Sequence, residues 1–325
     1  GPPARSFASR FTQADCRTLA EMDRLHNQLS GPATRHLCWR AWHVHGDVRY
    51  KRLASISTSH LYNLRHRTSY QRQRGHIEST RGHAVAIAER RRPMPEGRPG
   101  YLRVDSVHQG DRDGVKGLYH INVVDAVTHF EFVGSVPHIS ENFLLPVLEE
   151  LLRACPFQVL GFHSDNGSEY VNHRVADLLE KLRVNEFTKS RPRRSTDNAL
   201  VESKNGSVLR KHLGYAHIPA AYAEATHAFT RHVLTPYLNF HRPCLFPVDA
   251  VDGNGKIRKR YPDDAVMTPY EKLKSLPNAA SYLRPGITFT ELDATAQAMS
   301  DNEAARRLND ERAKLFRSIQ PPRAT

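Results

Sequence analysis

The sequence predicts an α/β core preceded by an all-α N-terminal region. Between residues 101 and 188, short runs rich in Val, Ile and Phe come first and amphipathic stretches are interleaved later, a pattern typical of a mixed sheet flanked by helices. The first 100 residues place apolar side chains at helical spacing and hold 18 Lys and Arg against 7 Asp and Glu. We divide the chain into residues 1–70, 71–99, 100–250 and 251–325.

Residues 1–70 are expected to form a helical domain. One helix runs from Phe11 to about Leu29 and stops at Ser30-Gly31-Pro32, and a second covers about 33–44. Trp39 and Trp42, three residues apart, are expected to be core residues.

Two further short helices, at 50–56 and 60–67, are separated by a polar turn. Thr58 or Ser59 is expected to cap the second one. This arrangement is typical of a helix-turn-helix, and the alternative is an ordinary helical bundle with a solvated basic face. Leu61 and Leu64 should pack inward, and four side chains should be exposed and able to reach bases or phosphates: His60, Asn63, Arg65 and Arg67.

The segment 71–99 is a basic linker. It would follow a phosphate backbone, and a plain solvated connector is the alternative. Its candidate DNA contacts are Arg72, Arg74, Arg90, Arg91 and Arg92.

The segment 100–250 is expected to form the α/β core. Predicted strands cover 101–108, 117–125, 129–136, 157–163 and 185–188. Predicted helices cover 140–154, 171–183, 198–212 and 219–240.

Three carboxylates in this core stand out by position. Asp105 lies within the first strand, Asp165 follows a strand and precedes the turn signal Asn166-Gly167, and Glu202 lies about one turn inside a helix. If they converge, they could bind two divalent ions, Mg²⁺ or Mn²⁺, since hard ions prefer carboxylate oxygens. Two such ions catalyse phosphodiester chemistry. Singly, each acid is more commonly a turn former or a solvated residue.

In their order and sequence context, these segments resemble the DDE integrase core of retroviral-type integrases and bacterial insertion-sequence transposases. The most specific piece is Ser164-Asp165-Asn166-Gly167-Ser168-Glu169-Tyr170. The segments 122–130 and 236–243 are also similar, and the resemblance covers roughly residues 98–250. It implies an RNase H-like mixed sheet, a helix-turn-helix in front of it, and Asp105, Asp165 and Glu202 as catalytic metal ligands.

The resemblance further implies DNA as substrate, both element ends and target, and a homo-oligomer on DNA, a dimer or a tetramer. Integrase-like cores often carry a basic residue two turns after the Glu, where this chain has Leu209. The basic contact on this helix is therefore assigned to Lys204, Arg210 or Lys211. The preceding loop supplies further candidate DNA contacts at Arg191, Arg193 and Arg194.

Two other functional classes stay open. A sequence-specific regulator would use the helix-turn-helix and have an inactive core. An RNase H-like nuclease would cleave DNA without joining it. All three classes agree with a net charge of +13, which indicates a polyanionic partner.

Other polar residues are weaker candidates for a functional role. Asp111 and Asp113 are expected in a hairpin loop and Asp125 at a strand end, with metal binding as the alternative. Glu169 is expected to cap a helix or support the site rather than bind metal, and His163 and Asn166 could contact DNA or orient Asp165.

The composition also limits the compartment and the metal. The cluster His36, Cys38, His43 and His45 lacks paired zinc-ligand spacing, so we expect no zinc site there. Four Cys without a disulfide pattern, and no apolar stretch of membrane-span length, predict a cytoplasmic protein without membrane contact. The resemblance implies that it is bacterial and nucleoid-associated. A C-terminal arm and a helix at 300–318 complete the prediction.

Overall fold

The computed structural model describes residues 10–71, 95–164, 170, 173–189, 199–251, 257–260 and 262–319. The α-helices are α1 Gln13–Leu25, α2 Gly31–His43, α3 Thr58–Arg65, α4 Thr68–Gln71, α5 Glu141–Ala154, α6 His173–Lys181, α7 Ala199–Lys204, α8 Lys211–Leu213, α9 Ala223–Phe229, α10 Thr235–Phe240, α11 Pro269–Ser275, α12 Phe289–Gln297 and α13 Asp301–Ile319. The strands are β1 Tyr101–His108, β2 Asp111–Arg112, β3 Val115–Lys116, β4 Tyr119–Asp125, β5 Glu131–Val136, β6 Gly161–Ser164, β7 Glu186–Lys189, β8 Cys244–Leu245, β9 Val248–Val251, β10 Ile257–Arg260 and β11 Val266–Met267.

The chain forms two compact units that are not contiguous in sequence. The first unit joins residues 1–77 with 242–267 and 300–306, and the second joins 78–241 with 268–299 and 307–325. The region 251–325 is thus divided between the two units.

The first unit is built on helices α1 to α4. Buried apolar side chains of α1, α2 and α3, including Leu19, Leu37 and Leu61, form its core. The helix expected up to Leu29 ends at Leu25, and the next begins at Gly31, because the Ser30 hydroxyl accepts a hydrogen bond from the Ala33 amide.

Helix α3 begins earlier than the sequence suggested. Its cap is Ser57, whose hydroxyl accepts a hydrogen bond from the amide of His60, so the expectation of Thr58 or Ser59 was wrong. Residues 48–50 and 53–55 form single 3₁₀ turns rather than a short α-helix. Leu61 and Leu64 are buried as expected.

The first turn of α13 belongs to the first unit. Arg40 donates to both carboxylate oxygens of Asp301 at 2.7 and 3.0 Å, and both side chains are buried. Asn302 lies within hydrogen-bonding distance of His26 and donates to Tyr50. The helix expected at 300–318 is therefore present, and its start is buried rather than solvated.

The second unit contains a five-stranded mixed sheet with the order β5-β4-β1-β6-β7. Strands β5, β4 and β1 pair antiparallel, whereas β1, β6 and β7 pair parallel. Helices flank this sheet, so the predicted mixed sheet flanked by helices is confirmed. All five sheet strands fall within the predicted segments, give or take a few residues.

The two faces of the sheet differ in polarity because side chains alternate along a strand. Leu102, Val104 and Ile121 belong to the apolar core that also contains Leu144 and Leu148 of α5. The alternate positions include Asp105, His120 and Asn122, and α7 packs against β1 and β4. The polar face of the sheet therefore carries the residues of chemical interest.

Side chains of α9 and α10 cover the edge strand β5. Its backbone N–H groups at Glu131, Val133 and Ser135 donate to Asn239, Thr235 and His227. A free strand edge would otherwise expose these donors, so this cover closes one edge of the sheet.

Asp111, Asp113 and Asp125 have structural positions. Asp111 lies in the β2–β3 hairpin, and Asp113 and Gly114 form its tight turn with positive φ angles of 53° and 76°. Asp125 is fully buried and accepts hydrogen bonds from the amides of Gly100, Val127 and Thr128, and burial raises its pKa above the ordinary value. These contacts explain all three acids without a metal.

Three further observations concern the cysteines, the hydropathy of the helices and Trp39. All four Cys are free and buried. Among the described residues, no helix has the length and apolar character needed to cross a bilayer. Trp39 was expected in the core, but 42% of it is exposed, and it lies between the rings of His36 and His43.

Candidate active site

Asp105 lies in the middle of β1, on the polar face of the sheet. It pairs with Asn122 of β4 in the antiparallel register. One of its carboxylate oxygens accepts a hydrogen bond from the Ser106 amide at 2.9 Å, and the other accepts one from the Asn205 side chain at 2.6 Å. The carboxylate is thus held in place by a rigid strand and by a helix residue.

Asn205 connects two strands to the helical segment after α7. Its amide nitrogen donates to Asp105, and its amide oxygen accepts from the Asn122 side chain at 2.9 Å. Asn122 is fully buried. Neither asparagine was assigned a role from the sequence. A buried Asn within an otherwise apolar strand, and an Asn three residues after Glu202, were the signals that could have identified them.

Glu202 lies on α7 with an exposed side chain. Asn205 follows three residues later, and residues at this spacing on a helix are neighbours on one face, about 5–6 Å apart between Cβ atoms. Because Asn205 touches Asp105, the turn that carries Glu202 lies beside the strand that carries Asp105.

Asp165 lies outside the described residues, as do Asn166 and Glu169. Ser164, which precedes Asp165 in the chain, pairs in parallel with Val104, which precedes Asp105. Among the residues that the structure describes, no three His, Cys, Asp or Glu side chains are arranged to hold a metal. The convergence of the three acids therefore stays a prediction.

The donor chemistry of the described part fits a hard divalent ion. Asp105 and Glu202 supply carboxylate oxygens, which Mg²⁺ and Mn²⁺ prefer. The Asn122 amide oxygen is buried and has no hydrogen-bond partner in the described part of the chain.

Lys204 was expected to contact DNA, but it is buried. Its ammonium nitrogen lies 3.2 Å from a carboxylate oxygen of Glu131, and the two side chains are 9% and 0% exposed. Lys204 therefore faces the protein interior, and its burial argues against the expected DNA contact.

Arg210 is half-buried and fastens the end of the same helical segment. It donates to the His108 carbonyl at 2.8 Å and to Gln109, and it stacks over Tyr215. These contacts within the protein give the Arg210 guanidinium a structural role. Lys211, the third basic candidate on this segment, is partly exposed and stays a candidate DNA contact.

A neutral histidine lies beneath this helix end. His120 is fully buried between the Ser135 hydroxyl and the Gln109 side chain, and burial, aided by the Arg210 charge, lowers its pKa to about 3.

His163 is also buried and lies within hydrogen-bonding distance of the Thr188 hydroxyl on β7.

The four candidate DNA contacts on α3 and just after it separate into two groups. Asn63 and Arg67 are exposed, and His60 is partly exposed beside the Phe11 ring. Arg65 was expected to be exposed, but it is buried and donates to both oxygens of Asp23 at 2.9 and 2.6 Å. The expected exposure of Arg65 was wrong because the unit uses this guanidinium to neutralise a buried carboxylate.

The remaining candidate DNA contacts lie outside the described residues. They are Arg72, Arg74, Arg90, Arg91, Arg92, Arg191, Arg193 and Arg194.

The chain is similar in sequence to a protein of unknown role. No family model matches the chain. It is 28% identical over 164 residues to the uncharacterized protein y4rM of Sinorhizobium fredii (strain NBRC 101917 / NGR234), which covers 50% of this chain and 47% of that protein. The chain thus spans about half the length of this relative.

Two solved structures are similar to part of the chain. The simian T-cell lymphotropic virus intasome in complex with PP2A regulatory subunit B56 gamma gives a TM-score of 0.34 at 15% identity, covering 55% of this chain and 60% of that one. The catalytic core domain of BIV integrase gives 0.35 at 20% identity, covering 54% and 95%. TM-scores this low decide nothing about fold, which follows here from the strand order and directions.

Proposed function

We propose that this protein is a polynucleotidyl transferase of the DDE type, a transposase that cuts at the ends of a mobile element and joins the 3′-hydroxyls to target DNA. The observation that carries the proposal is the hydrogen bond between Asn205 and Asp105. It ties the strand that bears one predicted ligand to the helical segment that bears another, one turn from Glu202. A sheet with this strand order also agrees with the RNase H-like fold that the sequence resemblance implies.

In this proposal, Asp105, Asp165 and Glu202 hold two Mg²⁺ or Mn²⁺ ions. Such ions activate the attacking water or 3′-hydroxyl and stabilise the leaving oxygen. The protein's own contribution is positioning: Asn205 and the Ser106 amide fix the Asp105 carboxylate, and Glu202 reaches the site from an exposed helix face. A fixed ligand geometry is what two-metal chemistry requires.

DNA binding is assigned to exposed cations and polar groups of the first unit. Asn63 of α3 and Arg67, which follows the end of α3, are exposed, and the first 100 residues carry most of the positive charge. Because two DNA ends must be joined to one target, we expect a dimer or tetramer on DNA in the bacterial cytoplasm.

The proposal is tested with labelled duplexes from the DNA that flanks the coding sequence. Duplexes with recessed 3′-hydroxyls are mixed with a supercoiled plasmid, the protein and Mg²⁺ or Mn²⁺, and Asp105→Asn serves as the inactive control. Joined products that require both the metal and Asp105 are expected. Cleavage without joining would favour a nuclease, and specific binding without either reaction would favour a regulator.

A further inference from the structure

Lys204 and Glu131 form a buried ion pair next to the candidate active site. Their charged atoms lie 3.2 Å apart, and the carboxylate has no exposed surface. A charge in such a place is costly unless it is paired, so neither side chain is expected to occupy its position without the other. The pair connects the end of α7 to the first residue of β5.

The pair lies on the opposite side of α7 from the candidate ligand. Successive residues on an α-helix are rotated by about 100°, so Lys204 is about 200° from Glu202, while Asn205 is only about 60° away from it. The burial agrees: Lys204 and Val201 are buried, and Glu202 is exposed. The ion pair of Lys204 thus fixes one side of α7, and this determines the direction in which Glu202 and Asn205 face.

Helix α7 does not continue as a regular α-helix. Its described part, Ala199–Lys204, runs directly into a π-helical segment, Asn205–Arg210. A π-helical segment changes the rotation between the residues before and after it. The direction of Glu202 is therefore not determined by helix geometry alone.

Glu131, the partner of Lys204 in this ion pair, is held rigidly. The Glu131 backbone is clamped by Asn239, which accepts from its N–H at 2.8 Å and donates to its carbonyl at 2.9 Å. Glu131 also pairs with Val124 of the neighbouring strand β4. Lys204 is therefore attached to a fixed point of the fold.

We propose that Lys204 and Glu131 are positioning residues of the active site. Their ion pair sets the rotation of α7 about its axis, so that Glu202 and Asn205 face Asp105. For catalysis this inference rests on the proposed function, whereas the effect on α7 itself does not depend on any activity.

The test compares two double variants that both remove the buried charges. Lys204→Met with Glu131→Leu replaces the ion pair by apolar contacts, a change that commonly preserves or raises stability. Lys204→Gln with Glu131→Gln replaces the ion pair by two amides that can form a neutral, directional hydrogen bond. Lys181→Met, which removes a surface charge paired with Glu149, is the matched control.

We expect the Lys204→Met, Glu131→Leu variant, called the apolar pair, to unfold near the wild-type temperature. Its kcat for joining should be about 10- to 100-fold lower, with KM for DNA unchanged. The Lys204→Gln, Glu131→Gln variant, called the amide pair, should recover a large part of that kcat, and the kcat of Lys181→Met should match that of the wild type. A merely structural role would give native kcat in both folded double variants, and this result would overturn the inference. If the apolar pair does not fold, Lys204→Met with Glu131→Gln, which removes both charges and keeps the size of the Glu131 side chain, takes its place, and native kcat with unchanged exchange at residues 199–213 in that variant would overturn the inference.

Hydrogen exchange separates this inference from the proposed function. In the apolar pair, amides of residues 199–213 should exchange about 10-fold faster than in the wild type, while those of β1 and β4 stay unchanged. If the wild type joins no DNA, the proposed function has failed, and this measurement still decides the inference. Unchanged exchange at α7 in the apolar pair would refute it.

Discussion

Asn205 donates a 2.6 Å hydrogen bond to the Asp105 carboxylate, and its own oxygen accepts from Asn122. Three polar side chains from two strands and one helical segment thus form a continuous chain on the polar face of the sheet. The chain orients the carboxylate before any ion or DNA is bound. It is the feature of the described structure that most directly links Asp105 to the turn containing Glu202.

Replacing Asn205 by Ala should slow DNA joining. A hydrogen bond to a charged group contributes about 1.5–3 kcal/mol, so a loss of about 10- to 100-fold in rate is expected if the bond is kept in the transition state. In a titration with Mn²⁺, the variant should also need a higher ion concentration than the wild type to reach its half-maximal rate.

The matched control for this change is Asn185→Ala, because Asn185 is exposed before β7 and away from the Asp105 chain. This variant should join DNA at the wild-type rate. Equal rates for the two variants would show that the bond from Asn205 does not orient the site.

Removing Arg65 should destabilise the first unit rather than weaken DNA contact alone. Asp23 accepts from Arg65 and from the Tyr70 hydroxyl in a buried position, so Arg65→Met leaves a buried carboxylate without its cation. Breaking a buried pair typically costs about 3–5 kcal/mol. Chemical denaturation followed by circular dichroism would measure the loss, and a change below about 1 kcal/mol would contradict the interpretation.

Arg67 should behave in the opposite way. Its side chain is exposed on the same helix end, so Arg67→Met should leave the unfolding free energy nearly unchanged. The slope of log Kd against log salt concentration depends on the number of phosphates that the protein contacts. If Arg67 contacts a phosphate, this slope should be smaller by about 0.9 in the variant than in the wild type. An unchanged slope across several salt concentrations would remove Arg67 from the DNA-binding surface.

His120 should make the second unit less stable in mild acid. Its pKa is lowered to about 3 in the folded protein, below the ordinary value of 6.5, so the unfolded chain binds the extra proton between these two values. Stability from this residue is complete above about pH 6.5 and is lost as the pH falls towards 3. Between pH 7 and pH 5 the expected loss is about 2 kcal/mol.

His120→Gln should reduce this pH dependence because an amide keeps a donor and an acceptor but does not titrate. Urea unfolding at pH 7 and pH 5 would measure both proteins. The same pH dependence in the variant and the wild type would mean that other groups dominate the acid response.

The sheet could be predicted from the sequence because its strands alternate or are uniformly apolar, and both patterns are local. The long helices at 198–212 and 219–240 were also predicted, but each is interrupted by a π-helical segment, Asn205–Arg210 and Thr230–Leu234. Such an interruption depends on tertiary contacts, such as those of Asn205, which no local pattern reveals.

The errors have a common physical reason. Arg65 was expected to be exposed on its helix, and Lys204 was a candidate DNA contact because of the resemblance, yet each neutralises a buried carboxylate that is distant in sequence, Asp23 and Glu131. A partner 42 or 73 residues away cannot be found from spacing alone. The strand position of Asp105 and the helix position of Glu202 were predicted correctly, since each depends on a neighbouring segment only.

The most direct test of the central claim is the joining rate of three single variants, Asp105→Asn, Asp165→Asn and Glu202→Gln, and of their double combinations. If the three acids form one two-metal site, each single variant should lose at least about 1000-fold while remaining folded and bound to DNA, and the doubles should lose no more than the singles. A single variant that joins DNA at the native rate while folded and bound would contradict the account.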